Sequence, residues 1–219
     1  MAFVRSPKLR PKPPSKPPSK RKLRRLLSDP MSLTAAQAPA GIRNNPGNIT
    51  AQADGKPRYA GEIDSWVGST SGLTYAIFDS REMGLRAMFL EFITKLQRHE
   101  GDVELAILEY LGGGREGTKE NRIERARRHN DDPGAYARRA QEAYDNGVQY
   151  GGKLYTGLQG LVARAVLEEN LKPEYRDWYL KDPTIIAEAE KLAGIDVPTH
   201  YSLNATRKAA IALRKAGEK

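Results

Sequence analysis

The chain has 219 residues, no cysteine, three histidines, 39% hydrophobic residues and a formal net charge of +9. Without cysteine there is no disulfide framework, no thiolate nucleophile and no cysteine-ligated zinc, and the scattered His99, His129 and His200 predict neither a metal site nor a cofactor. No apolar run nears the roughly 20 residues of a membrane span, and no apolar stretch follows the basic N-terminus, so the expectation is a soluble protein made in the cytoplasm.

The charge sits at one end. Residues 1–29 carry ten Lys or Arg against a single acid, Asp29, and the rest of the chain is formally neutral. Residues 11–20 form a Lys-Pro-Pro-Ser near-repeat that has nothing to bury, and residues 20–27 add a basic cluster with Leu23, Leu26 and Leu27 at helical spacing. Residues 1–40 are therefore expected to be a disordered basic tail and linker. Such a tail suits packaged DNA, an acidic partner surface or anionic lipid, or it is a solvated linker.

The next stretch is Gly41-Ile42-Arg43-Asn44-Asn45-Pro46-Gly47-Asn48-Ile49. Pro46 and Gly47 stop a helix and spoil a strand, so it reads as a tight turn anchored by its isoleucines. Clustered asparagines either satisfy the loop's own backbone or present amides to a polar ligand such as a sugar. Residues 41–79 are expected to form a small β lobe, with strands over 58–63 and 74–78 joined through Ser69-Thr70-Ser71-Gly72.

From residue 80 the pattern turns helical. Leu85, Met88, Phe89, Phe92, Ile93 and Leu96 make one amphipathic stripe, with Asp79-x-x-Glu82 in the form of a capping pair and Gly101 as the stop. Asp102 caps a helix over 103–111 that closes at Gly112-Gly113-Gly114. A charged helix over 118–129 is expected to show solvent a polar face. Asp132-Pro133 and Asp182-Pro183 each start a helix, running to about 145 and 192. Residues 147–160 read as looser, followed by a helix ending near Glu169, and a last helix starts near Asn204. The fold class expected is α+β and mostly helical, with a domain over 41–150 and a helical extension over 151–219.

The turn at 41–49 resembles the Gly-Ile-Arg-Asn-Asn-Asn-Pro-Gly-Asn-Ile signature of a family of tailed-phage and prophage proteins, described as virion structural proteins or peptidoglycan hydrolases. Trp66-Val67-Gly68, Tyr75-Ala76-Ile77-Phe78 and Gly84-Leu85-Arg86-Ala87 follow in the family's order, so the resemblance covers residues 41–100. This chain has one asparagine fewer in the first block, and a later family block survives only as His129-Asn130-Asp131-Asp132 with Tyr136. The resemblance implies a lysozyme-like fold and a virion-borne protein that degrades peptidoglycan in the cell envelope during entry, with other virion proteins and packaged DNA as partners. The alternative is a non-catalytic virion structural or ejected protein of the same ancestry, with a DNA-contacting tail.

Glycan cleavage of that kind needs a carboxyl that stays protonated near neutral pH beside apolar groups, and a second carboxylate to steady the cation or direct water. Glu62 and Asp64 are the catalytic candidates, because they share the lobe with Tyr59 and Trp66. Glu62 could equally be a strand carboxylate paired with Arg58. Glu82 reads as a cap, and Glu116 and Glu120 as surface charges after the triple glycine. Arg43, Asn44, Asn45, Asn48, Trp66 and Tyr75 are the candidate substrate-binding residues, the aromatics serving as stacking platforms or as the lobe's own core. In lysozyme-like enzymes the general acid usually ends a helix just before the β lobe, yet residues 30–41 contain no acid.

Overall fold

A computed structural model describes residues 43–68, 71–170 and 172–194. The basic tail, Gly41, Ile42, Ser69, Thr70 and the helix expected from Asn204 lie outside the described residues. The fold is mixed α+β and mostly helical: among the described residues there are seven α-helices, one π-helical turn and two antiparallel two-stranded sheets.

The β lobe comprises the turn at 43–50 and a hairpin of β1 (Glu62–Val67) and β2 (Thr74–Phe78). Trp66 pairs with Tyr75 and Ser65 with Ala76, and the register slips between Glu62 and Asp64. The first strand begins later than the sequence suggests. Residues 58–61 are drawn into a turn because the Glu62 carboxylate accepts the backbone N–H groups of Arg58 (2.7 Å) and Tyr59 (3.3 Å), and Gly61 takes a φ of 82°. Ala76 and Phe78 are fully buried on the lobe's inner face.

The helical body is built on α1 (Arg81–Arg98). Leu85, Met88, Phe89 and Phe92 are fully buried and Leu96 nearly so; each such side chain withdrawn from water contributes about 1.5–3 kcal/mol. Its N-cap is Ser80, whose hydroxyl accepts from Met83 N, not the expected Asp79. Ser80 holds the extended conformation a cap requires, while Asp79 still belongs to the end of the hairpin. Glu82, expected to cap, is buried beside the Arg81 guanidinium at 3.4 Å.

Asp102 caps α2 (Val103–Leu108) as expected, but that helix loosens into a π-helical turn, Glu109–Gly113, where Gly112 has a φ of 87°. The charged α3 (Lys119–Ala126) is not simply a solvated face. Arg122 is 6% exposed and donates to the carbonyls of Gly114, Arg115 and Gly117, while Arg125 donates to those of Gly113 and Glu116. The two guanidiniums satisfy the carbonyls of the glycine loop and fix it.

Asp132 caps α4 (Pro133–Asn146) and Asp182 caps α7 (Pro183–Leu192). Two elements were not legible. Residues 147–160 contain a second hairpin, β3 (Val148–Tyr150) with β4 (Lys153–Tyr155), and α6 (Pro173–Leu180) precedes α7. Elements on the two sides of residue 150 pack on each other, α5 (Gly157–Glu169) against α4 and α7 against α1. Helix α5 packs on α4 so closely that a Cβ at Gly160 would stand 2.2 Å from the Ala143 carbonyl oxygen. Its Leu158, Leu161, Val162, Ala165 and Val166 belong to the same core as α1.

Candidate active site

The polar turn is held by its own amides. Asn45 donates to the carbonyls of Ile49 and Ala76 (both 2.9 Å) and accepts from Ile49 N (2.8 Å). Asn44, fully buried, donates to the Phe78 carbonyl (3.3 Å) and accepts from Trp178 Nε1 (3.0 Å). Arg43, Asn44 and Asn48 sit at φ 52°, 50° and 48°; asparagine tolerates this left-handed region better than most residues, because its short side chain bonds locally. The turn rests directly on α1, where Gly84 leaves room for the Asn44 carbonyl. Two of the four sequence blocks that carry the family resemblance are thus the two sides of one backbone contact.

Beside this turn opens a cleft of about 380 Å³, between the β lobe and the helical body. Asn48, Arg58, Tyr75, Glu91, Lys95, Glu109, Tyr110, His129, Asn130 and Glu169 line it. Of the signature's asparagines, Asn48 alone faces it. Its Nδ2 donates 2.8 Å to Glu169 Oε2, across 121 residues of sequence. Next to it, Asn170 Nδ2 donates 3.0 Å to the Pro46 carbonyl, and Tyr110 Oη donates to that of Gly47. The end of α5 is therefore fastened to the turn at two successive residues.

Glu169 ends a helix that is apolar over most of its surface. Burial raises its pKa above the usual carboxylate range, and the Glu168 charge adds to the rise; the Asn48 hydrogen bond and the Tyr136 hydroxyl pull it part of the way back. Tyr136 is 1% exposed and its Oη has no hydrogen bond of good geometry, yet it lies against this carboxyl. Burial and the Glu169 charge push the Tyr136 phenol well above its ordinary value, so it remains a neutral donor.

Glu91 on α1 is tuned the opposite way. Burial opposes its ionised form, but Lys95, the Tyr59 hydroxyl and Arg58 outweigh burial and hold the carboxyl below its ordinary range. Arg58 lies 2.7 Å away, the Tyr59 hydroxyl donates at 2.5 Å, and Lys95 is in direct contact. Glu109 is met by Arg98, by His99 (2.8 Å) and by Arg115 (3.5 Å). Of the three carboxyls in the cleft, only Glu169 has no cation on it in the described structure, and burial raises its pKa.

No protein-family model matches the chain, and no curated protein matches its sequence.

The structure places the expected residues as follows. Glu62 and Asp64 do not line the cleft: Glu62 is occupied with the 58–62 turn, and Asp64 is exposed and accepts from Ser65 N. Glu116 and Glu120 are exposed. Asn44 and Asn45 brace the fold. Arg43 stacks over Trp66 (4.5 Å), and Trp66 packs on Tyr75 (5.3 Å), so of that trio Tyr75 alone reaches the cleft wall. Sequence reasoning missed Glu169 and Glu91. The one available signal was a carboxyl closing a largely apolar helix, and Glu168 shares it. The weakly matching block at 129–136 also reaches the cleft, through His129 and Asn130, while its Tyr136 is buried against Glu169. No helix among the described residues is long and apolar enough to cross a membrane, and no metal-binding cluster occurs among them.

Proposed function

We propose that this chain is a lysozyme-like, phage virion-associated protein that cleaves the glycan strand of peptidoglycan, with Glu169 as its acid. The observation that carries this reading is the Glu169 carboxyl: largely desolvated, raised in pKa, on the lining of an interlobe cleft and held there by Asn48. A small β lobe set against helices with a carboxyl at the junction is the arrangement such chemistry uses. The acid expected upstream of the lobe is missing from residues 30–41. Glu169 instead comes from the far end of the domain, where it ends α5 against the turn of the lobe.

Protonated Glu169 gives its proton to the glycosidic oxygen as the carbon–oxygen bond breaks, leaving an oxocarbenium-like sugar. The resulting carboxylate then takes a proton from whichever hydroxyl attacks that sugar. Attack by water gives a reducing end, and attack by the sugar's own 6-hydroxyl gives an anhydro end. Glu91 is engaged by Lys95, Arg58 and Tyr59, and takes no proton-transfer step. The basic residues 1–29 would tether the protein to packaged DNA or an acidic virion surface.

The test is release of muropeptides from purified sacculi, with the ends identified by mass. Wild type should release them, Glu169→Gln should lower the rate at least about a hundredfold, and Asp64→Asn should retain activity. Full activity in Glu169→Gln would remove the acid from this role. A second reading, a non-catalytic virion protein of the same ancestry, is favoured by the engagement of Asn44 and Asn45 with backbone and Trp178. It predicts no release by any preparation.

A further inference from the structure

Resting on the glycan-cleaving reading above, we infer that the Arg58–Lys95 side of the cleft is a subsite for a carboxylate carried by the substrate. Two cations and one anion meet there. Lys95 and Arg58 both contact Glu91, which is 4% exposed and can offset only one of them. Glu109, elsewhere on the lining, already has Arg98, His99 and Arg115, so it is not the missing counter-charge. Both cations of this wall are therefore gathered around one shared carboxylate on the Glu91 side of the cleft.

Arg58 is the group able to take a second carboxylate. It lines the cleft, its side chain is 43% exposed, and its contact with Glu91 is through one terminal nitrogen. A guanidinium carries five N–H donors in a rigid fork, so open donors remain for a second, bidentate carboxylate. Its position is fixed from three directions. Glu62 takes its backbone N–H (2.7 Å), Glu91 takes the guanidinium (2.7 Å), and the Tyr59 ring lies 5.0 Å from the guanidinium carbon. Glu62 thus positions the arginine that reads the substrate. In peptidoglycan the carboxylate is either the ether acid on alternate sugars, where no peptide is attached, or an acid group of the peptide stem. Both present the same chemistry to Arg58.

The experiment measures binding by titration calorimetry at low salt, using Glu169→Gln protein so that nothing is turned over. Three glycans of equal length are compared: peptide-bearing, peptide-free with the ether acid exposed, and a chitooligosaccharide with no carboxylate. The expected result is about tenfold tighter binding of a carboxylate-bearing glycan, the scale of one charge-assisted hydrogen-bonded pair. Adding Arg58→Gln should reduce that preference to less than about twofold, while Arg58→Lys should keep part of it. Circular dichroism establishes that each variant is folded, and chitooligosaccharide affinity reports whether the rest of the cleft is intact. Preference for the peptide-bearing strand alone assigns the carboxylate to the stem; preference for the peptide-free strand as well assigns it to the sugar. Equal binding of all three glycans by Arg58 protein overturns the subsite and leaves the glycan-cleaving reading standing. A preference that survives Arg58→Gln overturns it too. Binding of none of them overturns the subsite together with the functional reading.

Discussion

Gly84→Ala tests the contact on which the cleft is built. A methyl at residue 84 would stand 1.7 Å from the Asn44 carbonyl oxygen and 3.1 Å from Pro46 Cδ. An ordinary carbon–oxygen contact is about 3.3 Å, so roughly 1.6 Å of separation must be found. Helix α1 cannot supply it by retreating, because its opposite surface packs on α2, α5 and α7. The turn cannot supply it cheaply either, because Asn45, Asn170 and Tyr110 hold it through hydrogen bonds. Overpacking of this kind costs about 1–3 kcal/mol and sometimes more. Replacing a helical glycine by alanine returns at most about 1 kcal/mol. With so short a contact the upper part of the range applies, leaving a net loss of about 2 kcal/mol. For a domain of this size that lowers Tm by roughly 4–8 °C. Thermal unfolding followed by far-UV circular dichroism measures it. Because the displaced turn carries Asn48, glycan cleavage should fall as well at temperatures where the variant is still folded. A variant that melts at or above wild type would refute the reasoning, since the backbone contact would then have cost nothing to break.

Gly134 in α4 is the opposite case: an added Cβ meets nothing nearer than Ile123 Cδ1 at 3.5 Å, so Gly134→Ala should stabilise by up to about 1 kcal/mol, read from urea midpoints at constant slope. In the pH dependence of kcat/KM, activity should be lost as pH rises through the Glu169 pKa. Asn48→Ala removes an interaction that lowers that pKa and should move the falling limb to higher pH, whereas Glu168→Gln removes one that raises it and should move the limb lower; shifts in the same direction for both would contradict the assignment. The raised pKa also means that native Glu169 retains a proton the unfolded chain has lost, so its contribution to stability falls as pH rises above the ordinary carboxylate range. Glu169→Gln should therefore melt higher than wild type at pH 7, with the difference closing towards pH 4, as calorimetric scans across pH would record.

The chain alone determined where most helices begin, because the signals are local. Asp102, Asp132-Pro133 and Asp182-Pro183 satisfy free N–H groups of their own first turns, and the α1 stripe needs only its own period to be recognised. The tight turn at 43–49 was legible for the same reason. The β3–β4 hairpin was not, because three-residue strands are too short to show alternation. Helix α6 mixes aromatic and charged residues and has no side-chain cap, so Pro173 at its first position was a start signal without the capping residue that accompanies the other two. Only the tertiary structure decided the site. Glu168-Glu169-Asn170 reads along the chain as the charged end of a helix, and the Asn-rich turn reads as three equivalent amides. Folding spends Asn44 and Asn45 on backbone and core partners, and joins Asn48 to a carboxyl 121 residues away. A carboxyl's pKa is set by the medium around it, and that medium is assembled from α4, α5 and the turn, which no local stretch of sequence contains.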